Sequence, residues 1–388
     1  MAFGVYVHIP YCVKKCPYCD FNSYGVGKRI PEEDYTEAIL KELDLYRESI
    51  VGIPLTSIFF GGGTPSLFSP DSIGEIINRI LRITSPLDSL EVSLEANPKT
   101  ADLEKLKGFR DVGVNRISVG VQSFSERKLK LLGRINLPDD SERILKDIVK
   151  AGFHNFNLDL MFGVSFETLD EWKADLEKAL EFNTTHISTY CLTIEDDTEF
   201  ASLYSEGKLP LPDEEVLAEM ITFTGDFLEG AGYRQYEISN FAKPGYECKH
   251  NLLYWRGEYY LGLGAGAHSH SSADEKSSWG MRWANLKNPS LYMKAVREEK
   301  KPLAFVEFLE RKEALEDKVL MGLRLREGIN LTNIKERFRA DLHSDKLKFF
   351  FDEGFIELSD NSLKLSKKGV LLSDELILKV LDSLVLEV

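Results

Sequence analysis

Residues 5–24 read VYVHIPYCVKKCPYCDFNSY, an apolar, β-rich run that feeds directly into three cysteines, Cys12, Cys16 and Cys19. Their C-x3-C-x2-C spacing can hold three corners of a four-iron cluster. Such clusters normally take four cysteine thiolates. A three-cysteine site therefore leaves one iron open to an outside ligand, and that opening is a place for chemistry. Structural zinc is the alternative, and it requires four protein ligands in a closed tetrahedron. His8 is close in sequence but falls on the predicted strand, and no second C-x2-C pair follows.

Outward from this loop, strand-like and helix-like patterns alternate. Apolar runs at 5–9, 57–60, 90–94, 116–121, 156–161 and 187–192 predict six strands. Amphipathic patterns at 32–47, 70–83, 141–151 and 168–182 predict helices between them. The βαβα rhythm implies a parallel sheet with right-handed crossovers. Six units predict an α/β fold with a partial (β/α)6 barrel rather than a closed eight-unit one.

Each predicted strand ends in residues that packing does not require. The first runs into the cysteine loop and the second into Gly61-Gly62-Gly63-Thr64-Pro65. The third ends at Glu95, the fourth at Gln122, and the sixth near Thr193, while the fifth carries Asp159. In α/β barrels the carboxyl ends of the strands build the active site, so this pattern predicts one. The glycines allow backbone groups to approach a ligand, and their amides can bind a carboxylate or phosphate. The plainer reading of GGGTP is a tight turn. It lacks the lysine and spacing of a nucleotide-triphosphate loop. Glu95 can accept hydrogen bonds from an amine and Asp159 from ribose hydroxyls; a buried paired carboxylate or a cap is the plainer role for either. Arg134 can meet a carboxylate through its fork of donors, or simply be a solvated charge. The run GLGAGAH at 262–268 matches a dinucleotide fingerprint only loosely, since it lacks the βαβ context.

Composition narrows the class. The chain has 388 residues, enough for a large core and more than one domain. A net charge of −15 argues against general affinity for nucleic acid. Five cysteines, three of them in one motif, make no disulfide framework. Cys191 and Cys248 read as packed small residues. No signal peptide is expected from MAFGVYVHIP, and no run of about 18 apolar residues predicts a membrane span. A reduced cytoplasmic setting follows as the expectation.

With these motifs in place, the chain resembles the radical S-adenosylmethionine (SAM) proteins. The resemblance is greatest to the branch holding the oxygen-independent coproporphyrinogen III dehydrogenases and the related heme chaperones. YVHIPYC-x3-C-x2-C, FFGGGTPS, SLEANP, NRISVGVQSF, LLGR, NLDLMFG, HISTYCLTIE, YEISNFAKPG, HNLLYW and YLGLGAGAHS carry it, in order, over about two thirds of the chain. KVLMGLRLREGIN and LSKKGVLLSDELI resemble the helical, winged-helix-like tail of that branch. The resemblance implies a [4Fe–4S] cluster on Cys12, Cys16 and Cys19, with the open iron taking the amino and carboxyl groups of SAM. Tyr6, Tyr18, Gly62, Gly63, Thr64, Glu95, Gln122, Arg134 and Asp159 match family positions that line the SAM site.

Within the branch, the dehydrogenases are enzymes, and their pattern has a further cysteine two positions after the third ligand. This chain has Phe21 there. They also carry a long N-terminal arm, and the expectation here is that no such arm is present. Both departures are similar to the heme chaperones, as is HNLLYW at 250–255, which resembles an HNxxYW motif associated with heme. His250 is thus the implied heme ligand, with Cys248, His268 and His270 as weaker candidates. Imidazole is a common axial ligand and aromatic neighbours suit a porphyrin; a histidine bonded within a packed loop is the plainer reading. The implied function is to bind heme and pass it to apo-hemoproteins. A coproporphyrinogen dehydrogenase and a radical SAM enzyme with another substrate stay open as alternatives. The expected domains are a barrel over 1–240, a connecting region over 241–300 and a small helical domain over 301–388. Nothing in the sequence speaks to oligomeric state.

Overall fold

The structure, a computed structural model, describes residues 2–27, 29–271 and 277–387. Its first six long strands are β1 (Phe3–Ile9), β2 (Pro54–Gly62), β3 (Ser85–Ala96), β4 (Arg116–Gln122), β5 (Phe156–Phe162) and β6 (His186–Cys191). They pair in chain order and all in parallel. Parallel strands covered on both faces read as nearly continuous apolar runs. In β1 and β5 six of the seven residues are buried. The predicted barrel core is therefore the six-strand heart of the sheet.

The sheet does not stop there. β7 (Arg234–Gln235) and β8 (Asn240–Ala242) extend it antiparallel beyond β6. On the other side β9 (Tyr259–Leu263) lies parallel to β1. β10 (His268–Ser271), β11 (Met281–Asn285) and β12 (Leu303–Phe308) follow antiparallel. The result is one twelve-stranded sheet. The stretch 241–300, read from sequence as a connecting region, supplies β9, β10 and β11 on one side of the six-strand core and most of β8 on the other.

Local chemistry sets the crossover helices. Helix Pro70–Ile83 starts where Ser69 accepts the amide of Ser72 and proline occupies the first turn. Helix Leu169–Leu180 opens on a capping box between Thr168 and Glu171. Helix Glu32–Ile50 sends Glu42 into the interior, where its carboxyl group accepts from the Gly264 amide, the Asn285 amide group and the Tyr292 hydroxyl. This ties the helix to the turn between β9 and β10, the GLGAGAH run. A Cβ on Gly264 would fall 2.4 Å from the His8 carbonyl oxygen, at a φ of +101°. That glycine is there for close backbone packing against β1.

The C-terminal body has its own core, including Leu315, Val319, Ile334, Phe338, Ile356, Leu363 and Leu376. Helices Arg311–Gly322, Leu331–Phe338 and Ser373–Ser383 pack with a small antiparallel sheet of Ile329–Asn330, Ser362–Leu365 and Ile356–Ser359. Among the described residues no helix is long and apolar enough to cross a membrane.

Candidate cofactor site and adjoining chamber

The carboxyl ends of β1 to β6 open into one cavity of about 640 Å³. Cys12, Cys16 and Cys19 line it, as do Tyr6, Tyr18, Gly62, Gly63, Thr64, Glu95, Gln122, Arg134, Asp159 and His250. The structure thus gathers these thirteen sequence candidates around a single space, while the weaker candidates Cys248, His268 and His270 do not line it.

The cysteine loop is positioned mainly by backbone. The Gly63 amide donates to the Ile9 carbonyl at 2.8 Å, which seats the GGGTP turn against the loop's base. A Cβ on Gly63 would lie 2.7 Å from the Tyr11 carbonyl oxygen. Beyond that turn, Thr64 donates its hydroxyl to Cys12 Sγ at 3.5 Å and accepts from Asn97 at 2.8 Å. Asn97 in turn accepts from Arg134 at 2.6 Å, and Arg134 also donates to the Gly120 carbonyl at 2.6 Å. The other arm of Arg134 reaches Cys16 Sγ at 3.8 Å. Asn97 belongs to the site although only its neighbour Glu95 drew attention; its place in SLEANP was the available signal.

The three thiols suit a cluster in their chemistry. Among the described residues no three His, Cys, Asp or Glu side chains converge as a single-ion site. A four-iron cluster does not ask for that, because each cysteine holds a different iron. The rest of the wall offers acceptors. Gln122 Oε1 is buried without a partner, on a residue held at a φ of +66°. A buried orphan acceptor on a strained residue marks a place for a ligand's donor. Glu95 accepts the Gly62 amide at 3.2 Å. Burial and then the charge of Asp159 push the Glu95 carboxyl up to about 8. Asp159 accepts from Asn157 and Ser118, and burial raises it as well.

His250 stands at the inner wall, only 1% exposed. Its Nδ1 bonds Ser57 Oγ at 2.8 Å and its Nε2 bonds Tyr254 OH at 2.8 Å. The ring stacks on Phe59 at 5.2 Å. Burial, and then the charge of Arg116, lower it to about 3, so it stays neutral. The packed, internally bonded reading of this histidine is the one the geometry matches. Ligation by His250 would require Tyr254 or Ser57 to let go. Cys248, buried below it, donates to Glu91 at 3.5 Å. Glu91 also accepts the amides of Lys249 and His250 and so caps their helix.

A second chamber of about 660 Å³ adjoins the first. The two share Tyr6, Phe21, Gly62, Glu95 and Tyr254 as walls. The rest of the second chamber is built from Trp255, β9, β10 and the C-terminal body, with Tyr260, Trp279, Leu309, Met321 and Phe338 among its walls. Sequence motifs did not reveal it, since its lining comes from segments scattered over the whole chain.

Comparison with known proteins agrees with this architecture. Residues 6–179 match the model of the radical SAM superfamily, and residues 309–372 match the HemN C-terminal domain. The chain is 38% identical to the heme chaperone HemW of Haemophilus influenzae over 386 residues, covering 96% of both chains. It is 45% identical to HemW of Escherichia coli over 267 residues, covering 68% of this chain and 69% of that one. Among solved structures, the coproporphyrinogen III oxidase HemN of Escherichia coli, described as a radical SAM enzyme, superposes with a TM-score of 0.81. It covers 97% of this chain and 89% of that one at 22% identity, which speaks to fold alone. The sequence likeness along the whole chain, together with the cysteine loop at the mouth of the sheet, shows that this chain belongs to the HemW family of the radical SAM superfamily.

Proposed function

We propose that this chain is a heme chaperone, which takes up heme and hands it to apo-hemoproteins in the cytoplasm. In this reading Cys12, Cys16 and Cys19 hold a [4Fe–4S] cluster, with SAM beside it. The observation that carries the reading is the likeness to a protein named a heme chaperone over 96% of both chains. Phe21, where the dehydrogenases carry a further cysteine, supports it. So does the pairing of a polar, thiol-lined cavity with an adjoining chamber lined largely by aromatic and aliphatic side chains.

When bound, a cluster with an open iron supplies a redox centre and a docking point for the amino and carboxyl groups of SAM. The chain's own residues do the positioning. Thr64 and Arg134 fix two of the sulfurs from opposite partners. Glu95 is suited to accept from an amine, Asp159 from ribose hydroxyls, and Gln122 Oε1 from any donor that reaches it.

The test is anaerobic incubation of the reconstituted protein with SAM and coproporphyrinogen III. The reading predicts no 5′-deoxyadenosine that depends on the porphyrinogen. Stoichiometric release with loss of propionate carboxyl groups would instead identify a dehydrogenase.

A further inference from the structure

We propose that the second chamber is the heme site and that His270 Nε2 is the axial ligand to its iron. This rests on the heme-chaperone reading and assigns a site to it.

His270 lies on β10 and lines the chamber. Its Nδ1 stands 3.1 Å from the Glu258 carbonyl oxygen. A carbonyl only accepts, so Nδ1 carries the proton and Nε2 presents its lone pair. No hydrogen bond to Nε2 occurs among the described residues. This arrangement, one ring N–H given to a backbone carbonyl and the other nitrogen free, is how proteins prepare a histidine for a metal. Heme iron is commonly held by such an imidazole. Binding at Nε2 requires no proton to leave and no protein hydrogen bond to break. His250 differs in that both of its nitrogens are already bonded.

The walls fit a flat, apolar ligand with acidic side chains. Tyr260 lies against the His270 ring, with centroids 6.1 Å apart, and Trp279, Leu309, Met321 and Phe338 supply apolar surface. The volume of about 660 Å³ falls within the roughly 300–1,000 Å³ usual for small-molecule sites. Charge is arranged for carboxylates. Arg282 is already paired with Glu307 and Asp317. Lys318 and Arg337 also line the chamber, and neither has a carboxylate within 4 Å among the described residues. They are placed to meet the two propionates. Trp255 adds an indole N–H that is sealed from solvent and has no acceptor. Burial, and then the nearby Arg337, lower Lys318 below its ordinary range. Lys318 donates to the Arg256 carbonyl at 2.9 Å, and an ammonium has three donors, so others are left to meet a carboxylate. Because the chamber shares a wall with the cofactor cavity, a heme seated here lies next to the SAM site.

The experiment is a titration of the full-length, cluster-reconstituted protein with ferric heme under anaerobic conditions, read by Soret absorbance and electron paramagnetic resonance. The wild type is expected to bind one heme with a histidine-ligated spectrum. His270→Ala is expected to weaken binding at least tenfold and lose that signature, with millimolar imidazole restoring it. His250→Ala is expected to weaken binding less than His270→Ala does. Met321→Trp, which fills the chamber, is expected to block uptake while cluster iron stays at the wild-type level. Wild-type heme binding together with an unchanged affinity and spectrum in His270→Ala overturns the ligand assignment and leaves the chaperone reading standing. Unimpaired uptake by Met321→Trp overturns the chamber. Absence of heme binding by the wild type removes both this proposal and the chaperone reading.

Discussion

Gly63→Ala isolates the contact on which the cysteine loop depends. A methyl group there would lie 2.7 Å from the Tyr11 carbonyl oxygen and 2.8 Å from both Pro10 C and Tyr11 N. All three are backbone atoms of the segment leading into Cys12, so no side-chain rotation relieves the overlap. Ordinary contact begins near 3.4 Å, so the loop must retreat by roughly 0.7 Å, a displacement in the range where overpacking costs about 1–3 kcal/mol. The retreat also pulls at the Gly63–Ile9 hydrogen bond and at the Thr64–Cys12 contact. Gly225→Ala is the control. That glycine sits within helix Glu214–Gly230 with nothing within 4 Å of its added methyl. It should gain up to about 1 kcal/mol from helix propensity. Denaturant midpoints and iron per chain after anaerobic reconstitution measure both variants. Gly63→Ala should lose about 1–3 kcal/mol and hold less iron, while Gly225→Ala keeps its iron. A Gly63→Ala protein with wild-type stability and full iron would refute the backbone-contact argument.

The same reasoning reaches other buried groups. Lys128 is fully buried between Glu167 and Asp175, with Asp175 at 2.7 Å, and Asp175 also holds Ser123 and the Phe124 amide just beyond Gln122. Lys128→Met should therefore cost about 3–5 kcal/mol by leaving two buried carboxyl groups without their cation; a loss below about 1 kcal/mol in urea melts would contradict this. Glu42→Leu strips acceptors from the Gly264 amide and Tyr292 hydroxyl and should cost about 3 kcal/mol, against a near-zero effect if those donors find other partners. Glu95 titrates near 8 when folded. Between the ordinary carboxyl range and pH 8 the folded state holds a proton that the unfolded state has released, so stability falls as pH rises. Glu95→Gln lacks this titration, so it should match the wild type near pH 5 and exceed it by a few kcal/mol at pH 8; parallel pH profiles would show that Glu95 ionises normally.

The parallel core was legible because its strands are apolar on both faces and two of its helices, Pro70–Ile83 and Leu169–Leu180, carry explicit caps. Helix 70–83 agrees to the residue, since Ser69 and Pro70 mark its start. β3 begins earlier than its apolar run because Ser85 to Ser89, SPLDS, are all exposed and include a proline, and a loop reads the same way. The strands β9 to β12 were missed because they are short, and because β9 pairs with β1, more than 250 residues away in sequence, so no local pattern announces that pairing. The cofactor cavity was legible because most of its candidate residues lie in the cysteine loop, in the GGGTP turn or near the carboxyl ends of the strands, as Glu95 and Gln122 do. The second chamber was not, because contributions from β1, β10, β11 and the C-terminal helices have no common local pattern. His250 stood out as a motif residue, yet the hydrogen bonds occupying both its nitrogens depend on Ser57 and Tyr254 meeting it in space. His270 carried no motif at all, and what distinguishes it is a single backbone carbonyl, that of Glu258.

The most direct test of heme delivery is to load the anaerobically reconstituted protein with one heme, mix it with an excess of an apo-hemoprotein of distinct spectrum, and follow the acceptor's Soret band. The account predicts one acceptor converted per heme carried, at a rate that rises with acceptor concentration. A protein that binds no heme above an unrelated control, or that keeps its heme when the acceptor is added, would contradict it.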